Sequence, residues 1–424
     1  MTKSLRYFFM FLCMLCSTAT FATDNLITEQ IMINIDKAGT LRSMVSEAKK
    51  NKITNLKLSG ELNVDDFKFV RELAGCYNDA GQRYDGNLQH IDLGDVRFIG
   101  DGELTVSIYD NSPYIHNGSD IATFTNNTIG RYLFMGLDKM QSIVLPEGLS
   151  SIDFFAFCGC TSLVSISLPK SLTSIDSSAF AYCTSLASIS LPEGLVSIGS
   201  YVFGGCTNLA SITLPNSLIS IGTNAFKRCP NLKYISLPKS MTSIGEYAFS
   251  SSGITSISLP KGLKEIDTSA FLGCTITSVS LPEGLTSIAA LAFHGCVNLK
   301  SISLPSSITS IGSSCFEGCT GLASIYMYAE QLPTMTGDVF SGCDADNCIL
   351  YVPKGTMDMY RQSDFGYFKN IVELDATGIN NPETSINFKE VYRYATNGRR
   401  LLTPTKGINV VKYSNGIVKK ELVK

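Results

Sequence analysis

Ser165-Ile-Ser-Leu-Pro169-Lys-Ser-Leu-Thr-Ser-Ile175-Asp-Ser-Ser-Ala-Phe180-Ala-Tyr-Cys183 is one copy of a phrase that recurs eight times between Leu145 and Leu304, at a period of 22 to 23 residues. A unit this short cannot bury its own apolar face. Neighbouring copies must therefore stack, and a stack of short identical units is a solenoid with one long continuous surface. The register is fixed by the leucines that precede proline: Leu145, Leu168, Leu191, Leu214, Leu237, Leu259, Leu281 and Leu304 are separated by 23, 23, 23, 23, 22, 22 and 23 residues. Ile175, Ile198, Ile221, Ile244, Ile266, Ile288 and Ile311 keep the same step. So do Phe157, Phe180, Phe203, Phe226, Phe249, Phe271, Phe293 and Phe316, and each of these positions is read as a core rung. The two shortened copies each lose one residue after the phenylalanine, before Ile254 and Ile276, which places the deletion in a turn.

Within a copy, residues around Ile166 alternate apolar and polar, the period of a short strand with one face in the core. Pro169 ends it, because proline has no amide hydrogen to continue a ladder. Leu172 to Ile175 is a second extended run, and Ser178 to Cys183 reads as a tight helical or 3₁₀ turn. The coil is mostly β. At about 4.8 Å per rung, roughly eight or nine rungs give a body on the order of 40 Å long.

The repeat resembles the bacterial leucine-rich repeats of the BspA-like type, with Leu-Pro after the strand and Ala-Phe-x-x-Cys in the turn, across residues 140–327. The flanks resemble that family as well: Ile53 to Phe67 is similar to its opening segment, and Ile349-Leu-Tyr-Val-Pro353 through Tyr360 to Phe368-Lys-Asn-Ile371 to its final rung and cap. The resemblance implies a surface protein that adheres to host matrix proteins, to host cells or to other bacteria.

Lys3 and Arg6 precede an apolar run from Tyr7 to Cys16, and small residues reach Ala22, the plan of a secretory leader. The run is too short to span a bilayer, which takes about 20 residues. At the other end, residues 376–424 carry nine Lys or Arg against Glu383, Glu390 and Glu421. Taking that +6 and the leader's +2 from the whole-chain −3 leaves −11 for residues 23–375. This balance argues against nucleic-acid binding, which calls for an extended basic face. Short strands joined by Asn-Gly and Lys-Gly turns make the tail a small all-β module. It resembles the carboxy-terminal sorting domains of type IX secretion cargo, which implies attachment at the outer-membrane surface. A basic hairpin pair that binds an acidic partner is the other reading of the same residues.

Between leader and repeats, Ala38 to Asn51 reads as an amphipathic helix with Leu41, Met44 and Val45 on one side. Val64 to Ala74 reads as a second helix capped by Asn63 or Asp65, with strands at Ile53 to Leu58 and Leu88 to Leu93. Together they form an end cap, which a solenoid needs over its exposed edge. Residues 100–128, rich in Asn, Ser and Asp, read as a loop or an irregular rung. The resulting organisation is a leader (1–22), an α/β N-terminal cap region (23–128), a leucine-rich-repeat solenoid with its C-terminal cap (129–373), a linker (374–388) and a sorting-like β module (389–424).

Cys160, Cys183, Cys206, Cys229, Cys274, Cys296 and Cys319 share one repeat position and read as core thiols whose weak donors satisfy turn carbonyls. Stacked side chains point the same way, which disfavours disulfides along the ladder, and zinc is disfavoured because ligands arrive one per rung. Cys343 and Cys348 are spaced to close a small loop in an oxidising compartment, and sequence leaves both the bridged and the reduced form open. The chain has three histidines, His90, His116 and His294, none in a recognisable triad. Asp344-Ala-Asp346-Asn347 lacks the further acidic ligand of a calcium loop. No catalytic residue, metal or cofactor is expected.

The outward strand positions are largely hydroxyl: Ser165 and Ser167, Ser188 and Ser190, Ser211 and Thr213, and so on to Ser301 and Ser303. Tyr234, Tyr326 and Tyr328 break that uniformity and are the candidate contact residues, since aromatics dominate interface energetics. The expected function is non-catalytic protein–protein adhesion by a secreted, surface-displayed chain. An envelope scaffold or a glycan-capturing protein is the alternative, and an exported hydrolase around His90 and His116 a third. If the register is right, Phe226→Ala opens a core rung and lowers stability by about 3–5 kcal/mol. Unchanged thermal unfolding in that variant would contradict it.

Overall fold

The computed structural model describes residues 26–78, 82–108, 118–374, 390–395, 400–401, 403, 407–413 and 418–423. The leader and nearly all of the linker lie outside them, as does His116.

The repeats stack in register as parallel strands on two sides of one core. On the first side the Ser-Ile-Ser triplets pair rung to rung, with Ser188 opposite Ser211 and Ile189 opposite Ile212. On the second side the shorter Ser-Ile pairs align, Ile221 between Ile198 and Ile244. Proline separates the two strands of a rung and accepts a hydrogen bond at its carbonyl from the amide three residues on, as from Leu172 to Pro169 at 3.2 Å. Because the isoleucines point inward and the serines outward, period-two alternation places the core between the two sheets.

The third side of each rung is a turn, and it carries the closest packing. Phenylalanine rings stack from Phe134 to Phe340 with centroids 4.7 to 5.7 Å apart. Each ring's amide donates to the next rung, as from Phe157 to the Ala179 carbonyl at 2.8 Å. Ser178 to Cys183 is not a helical segment. It is a succession of tight turns with left-handed backbone at Ser178 (φ 58°) and Tyr182 (φ 59°). Such geometry lets turn amides reach along the solenoid axis to the next rung, where a helix would consume them internally. In the first shortened copy the turn closes through Gly253, where a side chain would put Cβ 2.0 Å from the Pro230 carbonyl.

The first sheet begins upstream of the clean repeats, its strands Ile31–Ile35, Asn55–Leu62 and His90–Phe98 leading in parallel into Ser142–Val144 and Ser165–Ser167. The helix Val64–Leu73 carries a capping box: the Asn63 side chain accepts from the Asp65 and Asp66 amides, and Asp66 accepts from the Asn63 amide. The single helix expected over 38–51 is instead two short ones, Leu41–Met44 and Glu47–Lys50. Val45 between them is extended and buried, while Met44 faces solvent. Buried Asp66 anchors the start of this stretch by accepting from the Gly39 and Leu41 amides. Residues 100–128, expected as a loop or irregular rung, contain an antiparallel hairpin, Gly102–Ile108 with Gly118–Phe124. Leu104, Val106, Ala122 and Phe124 point inward, and the Phe124 ring packs 5.1 Å from Phe98.

Arg71, on that capped helix, closes the first turn. Within the array, the carbonyls of Ala156 and Cys158 accept from the preceding rung's Phe134 and Gly136 amides at 2.8 and 3.0 Å. One rung earlier the equivalent carbonyls belong to Leu133 and Met135, and the buried Arg71 guanidinium donates to them at 2.8 and 3.3 Å. A side chain thus stands in for a missing rung. At the far end Tyr360 donates to the Ala329 carbonyl and Tyr367 to that of Cys343, while Phe365 and Phe368 cover Phe340. Strands Glu390–Ala395, Arg400–Leu401, Gly407–Tyr413 and Val418–Val423 form a separate antiparallel sheet.

Arg71→Met leaves those two carbonyls without a donor and is expected to cost about 1–3 kcal/mol. A thermal midpoint equal to wild type would show that the cap does not depend on this residue.

Candidate functional site

On the outer face of the first sheet, each strand presents two side chains to solvent around one inward isoleucine or valine. Ser165, Ser167, Ser188, Ser190, Ser211 and Thr213 are all exposed, as are Ser256, Ser258, Ser278 and Ser280 nearer the C-terminal end. The face is flat and uncharged here because small hydroxyl side chains stand at rung spacing with no bulk between them. Its two ends differ. Upstream, Lys57 reaches Asp95 at 2.7 Å and Asp92 at 3.3 Å, and these carboxylates hold the lysine pKa above its ordinary value. Beside them His90 Nδ1 lies 2.8 Å from Ser142 Oγ.

The downstream end is aromatic. Tyr326 pairs with Tyr351 across adjacent strands, their rings parallel within 4° and 4.7 Å apart. Val372, 43% exposed, extends the same column on the next strand. Tyr328 lies just beyond the strand, half-buried, and burial pushes its hydroxyl up to about 12, with Tyr326 and Glu283 adding to the shift. Its phenol therefore remains a hydrogen-bond donor throughout the neutral range. Tyr234 stands apart at 68% exposure, at an interruption of the strand ladder between Ser211–Thr213 and Ser256–Ser258. Four rungs, about 19 Å, separate it from Tyr326. Of the three tyrosines singled out in the sequence, the fold groups two, adds Tyr351 and Val372 to them, and leaves Tyr234 isolated.

The remaining polar candidates are occupied locally. Asp344 accepts from the amides of Asp346 and Asn347 and from the Asn347 side chain, and Asp346 pairs with Lys369. Those bonds tie both exposed carboxylates to partners already at hand. His294 is the exception: its Nδ1 is 3.8 Å from Glu317 on the next turn and makes no hydrogen bond. Among the described residues, no group of three or more His, Cys, Asp or Glu is placed to hold a metal ion, and no helix is long and apolar enough to cross a membrane.

All twelve cysteines from Cys76 to Cys348 are buried, unbridged thiols, Cys343 and Cys348 included. Cys183 donates to the Phe157 carbonyl at 3.2 Å, Cys206 to Phe180 and Cys229 to Phe203, and Cys343 continues the same ladder to Phe316. The cysteine thus supplies a donor to the stacked phenylalanine's carbonyl in every copy from Phe134 to Phe316 except that of Phe226, where Ser252 takes the cysteine's place.

Parallel strands stacked on two sides of a core of inward leucines and isoleucines, with a turn carrying stacked phenylalanines, define a leucine-rich-repeat solenoid. The chain belongs to the family described as the BspA type leucine rich repeat region, which it matches over residues 127–255 and 242–360. Among solved structures it is similar to a leucine-rich repeat protein from Bacteroides ovatus, with 24% identity, 64% of this chain and 92% of that one covered, and a TM-score of 0.37. It is also similar to a leucine rich cell surface protein from Faecalibacterium prausnitzii, with 22% identity, 60% and 79% covered, and a TM-score of 0.32. A third is a Treponema pallidum leucine-rich repeat protein, with 28% identity, 45% and 69% covered, and a TM-score of 0.26. The comparison with curated proteins gives no match.

The thiol ladder makes stability depend on alkaline pH. Burial pushes Cys229 up to about 12 and Cys274 up to about 11, against 9.0 for an unperturbed thiol. The stabilisation is complete below the unfolded value and is lost as pH rises from about 9 toward 12, at about 1.4 kcal/mol per pH unit for each thiol. Chemical denaturation is expected to show a plateau to pH 9 and a steep fall above it. A thiol-specific reagent at pH 8 is expected to leave all twelve unmodified until the chain is unfolded. Finding only ten after unfolding would place a disulfide between Cys343 and Cys348.

Proposed function

We propose that this chain is a secreted, surface-displayed binding protein that adheres to a protein ligand through the outer face of the first sheet and carries out no reaction. The observation that carries the reading is the Tyr326–Tyr351 pair beside Val372, at the end of an uncharged face lined with hydroxyls. Stacked rings on rigid strands offer large contact area at little entropic cost, and small flat neighbours let a partner approach closely. Tyr328 supplies a donor at the rim and Tyr234 a second, separate contact. His90 and Ser142 favour no hydrolytic reading, because the pair lies on a flat face and Asp92, the nearest carboxylate along the strand, is engaged by Lys57 and by the Gly94 amide. The partner class, host matrix protein, host cell or another bacterium, comes from the family. On this reading residues 1–22 are a leader lost on export, and the basic module 389–424 serves outer-membrane attachment.

The test is binding of the mature chain to matrix proteins, host-cell surfaces and bacterial polysaccharides. Saturable protein binding is expected, weakened about tenfold or more by Tyr326→Ala/Tyr351→Ala. Protein binding that the double variant leaves unchanged would remove this face from the account, and binding to polysaccharide alone would replace adhesion with glycan capture as the primary function.

A further inference from the structure

The turn side of the N-terminal copies carries a second feature. Each turn has two positions of left-handed backbone, a region that bulky side chains avoid and that Gly and Asn occupy more cheaply. Ser178, Ser269, Ser314 and Asn224 fill the first such position in four copies. In four others it holds Tyr132 (φ 61°), Phe155 (56°), Tyr201 (60°) and Tyr247 (53°). The second position is glycine in most turns, and holds Tyr182 (φ 59°), Arg228 (57°) and Ser251 (57°) in three. Bulky side chains therefore stand where the backbone penalises them, Leu291 and Arg228 among them. Tyr132, Phe155, Tyr182 and Tyr201 pack their inner edges against the core, and what sets the rings apart is that they gather at the N-terminal turns.

These side chains follow one another along the turn side as two ring clusters, with Tyr247 beyond them. Phe155 stacks on Tyr132 at 5.8 Å, and Phe154 stands perpendicular to Phe155, 36% exposed. Beyond Ser178, the Tyr182 and Tyr201 hydroxyls meet at 2.8 Å. The Tyr182 ring lies over Gly205, where a Cβ would come within 2.6 Å of it. Tyr247 follows, with the Lys227 ammonium 4.9 Å from its ring. All are partly open to solvent, and hydroxyls and both signs of charge are interspersed among them. Asp120 and Arg131 lie within electrostatic reach of Tyr132, and Asp153 faces Asp176 and Arg131.

We propose that these turn-side rings bind a linear, neutral polysaccharide lying along the solenoid axis. Aromatic rings take the C–H faces of pyranoses, and interleaved carboxylates, hydroxyls and cations hydrogen-bond sugar hydroxyls without building a field that would favour a polyion. The rungs rise about 4.8 Å each, close to the length of one pyranose in an extended chain, so a chain lying along the axis passes the rings in turn, with Ser178 and Asn224 between them. The rings are on the turn side and the Tyr326–Tyr351 face on the strands, so each stands or falls alone.

The test is electrophoresis of the full chain through gels containing glucomannan, galactomannan or xyloglucan, with dextran sulfate as the charged comparison. The test variant is Phe154→Ser/Phe155→Ser/Tyr201→Ser, which puts at those turns the residue other copies already carry. Because Phe155 and Tyr201 also pack against the core, its thermal midpoint is expected to fall, and the gels are run well below that midpoint on a variant whose far-ultraviolet circular dichroism matches wild type. Retardation by at least one neutral polysaccharide is expected, with affinity falling about tenfold or more in the triple-serine variant and unchanged in Tyr326→Ala/Tyr351→Ala. No retardation by any of the three, retardation by dextran sulfate alone, or retardation that the serine variant retains would each overturn the proposal.

Discussion

Everything in this solenoid hangs on one contact repeated along its axis, the stacked phenylalanine whose amide donates to the next turn and whose carbonyl accepts a thiol from it. Phe157 shows the full arrangement: its ring lies parallel to that of Phe180, its amide bonds to Ala179 and its carbonyl is satisfied by Cys183. No rung has enough apolar surface to stand alone, so stability is carried between neighbours. The same arithmetic explains the ends. An array held by rung-to-rung bonds leaves orphan carbonyls at its start and an uncovered ring at its finish, and Arg71 and the cluster around Phe365 and Phe368 answer those needs.

The rungs were legible in the sequence because their signal is periodic. The Leu-Pro spacing placed every core ladder, both strands and the shortened turns, and the thiols' role as donors followed from their single repeat position. Within the period only the turn at Ser178 to Cys183 was misread, as helical, because its left-handed backbone leaves no mark on the spacing; the rest of what was not legible lay outside the period. Ala38 to Asn51 has helical spacing, but a buried carboxylate on another element, Asp66, dictates how that chain enters, and Val45 breaks the helix to reach the core. The hairpin at 102–124 alternates correctly, yet its Asn and Ser content masks strands that are held by Phe67 and Phe98 from elsewhere in the cap.

The candidate site was half legible for a similar reason. Tyr326 stands out against serine neighbours in the repeat. Tyr351 does not, because it falls in the atypical last copies, and only cross-strand register sets its ring on that of Tyr326. Tyr234 is conspicuous in sequence and exposed in the fold, but nothing aromatic stands beside it on adjacent rungs. The turn rings were missed altogether: they occupy three different turn positions, and all but Phe154 share a left-handed backbone that sequence spacing does not display.

The face-specific claim is tested most directly by placing charge on one side of the solenoid at a time. Lysine at the outward first-sheet positions Ser190, Ser258 and Ser303, compared with lysine at the outward second-sheet positions Ser174, Ser197 and Ser243, leaves both cores intact because every one of these side chains points away from the core. Binding of the mature chain to its protein ligand is expected to be lost in the first variant and kept in the second. Loss in the second alone, or retention in both, would show that the outer face of the first sheet is not where the protein binds.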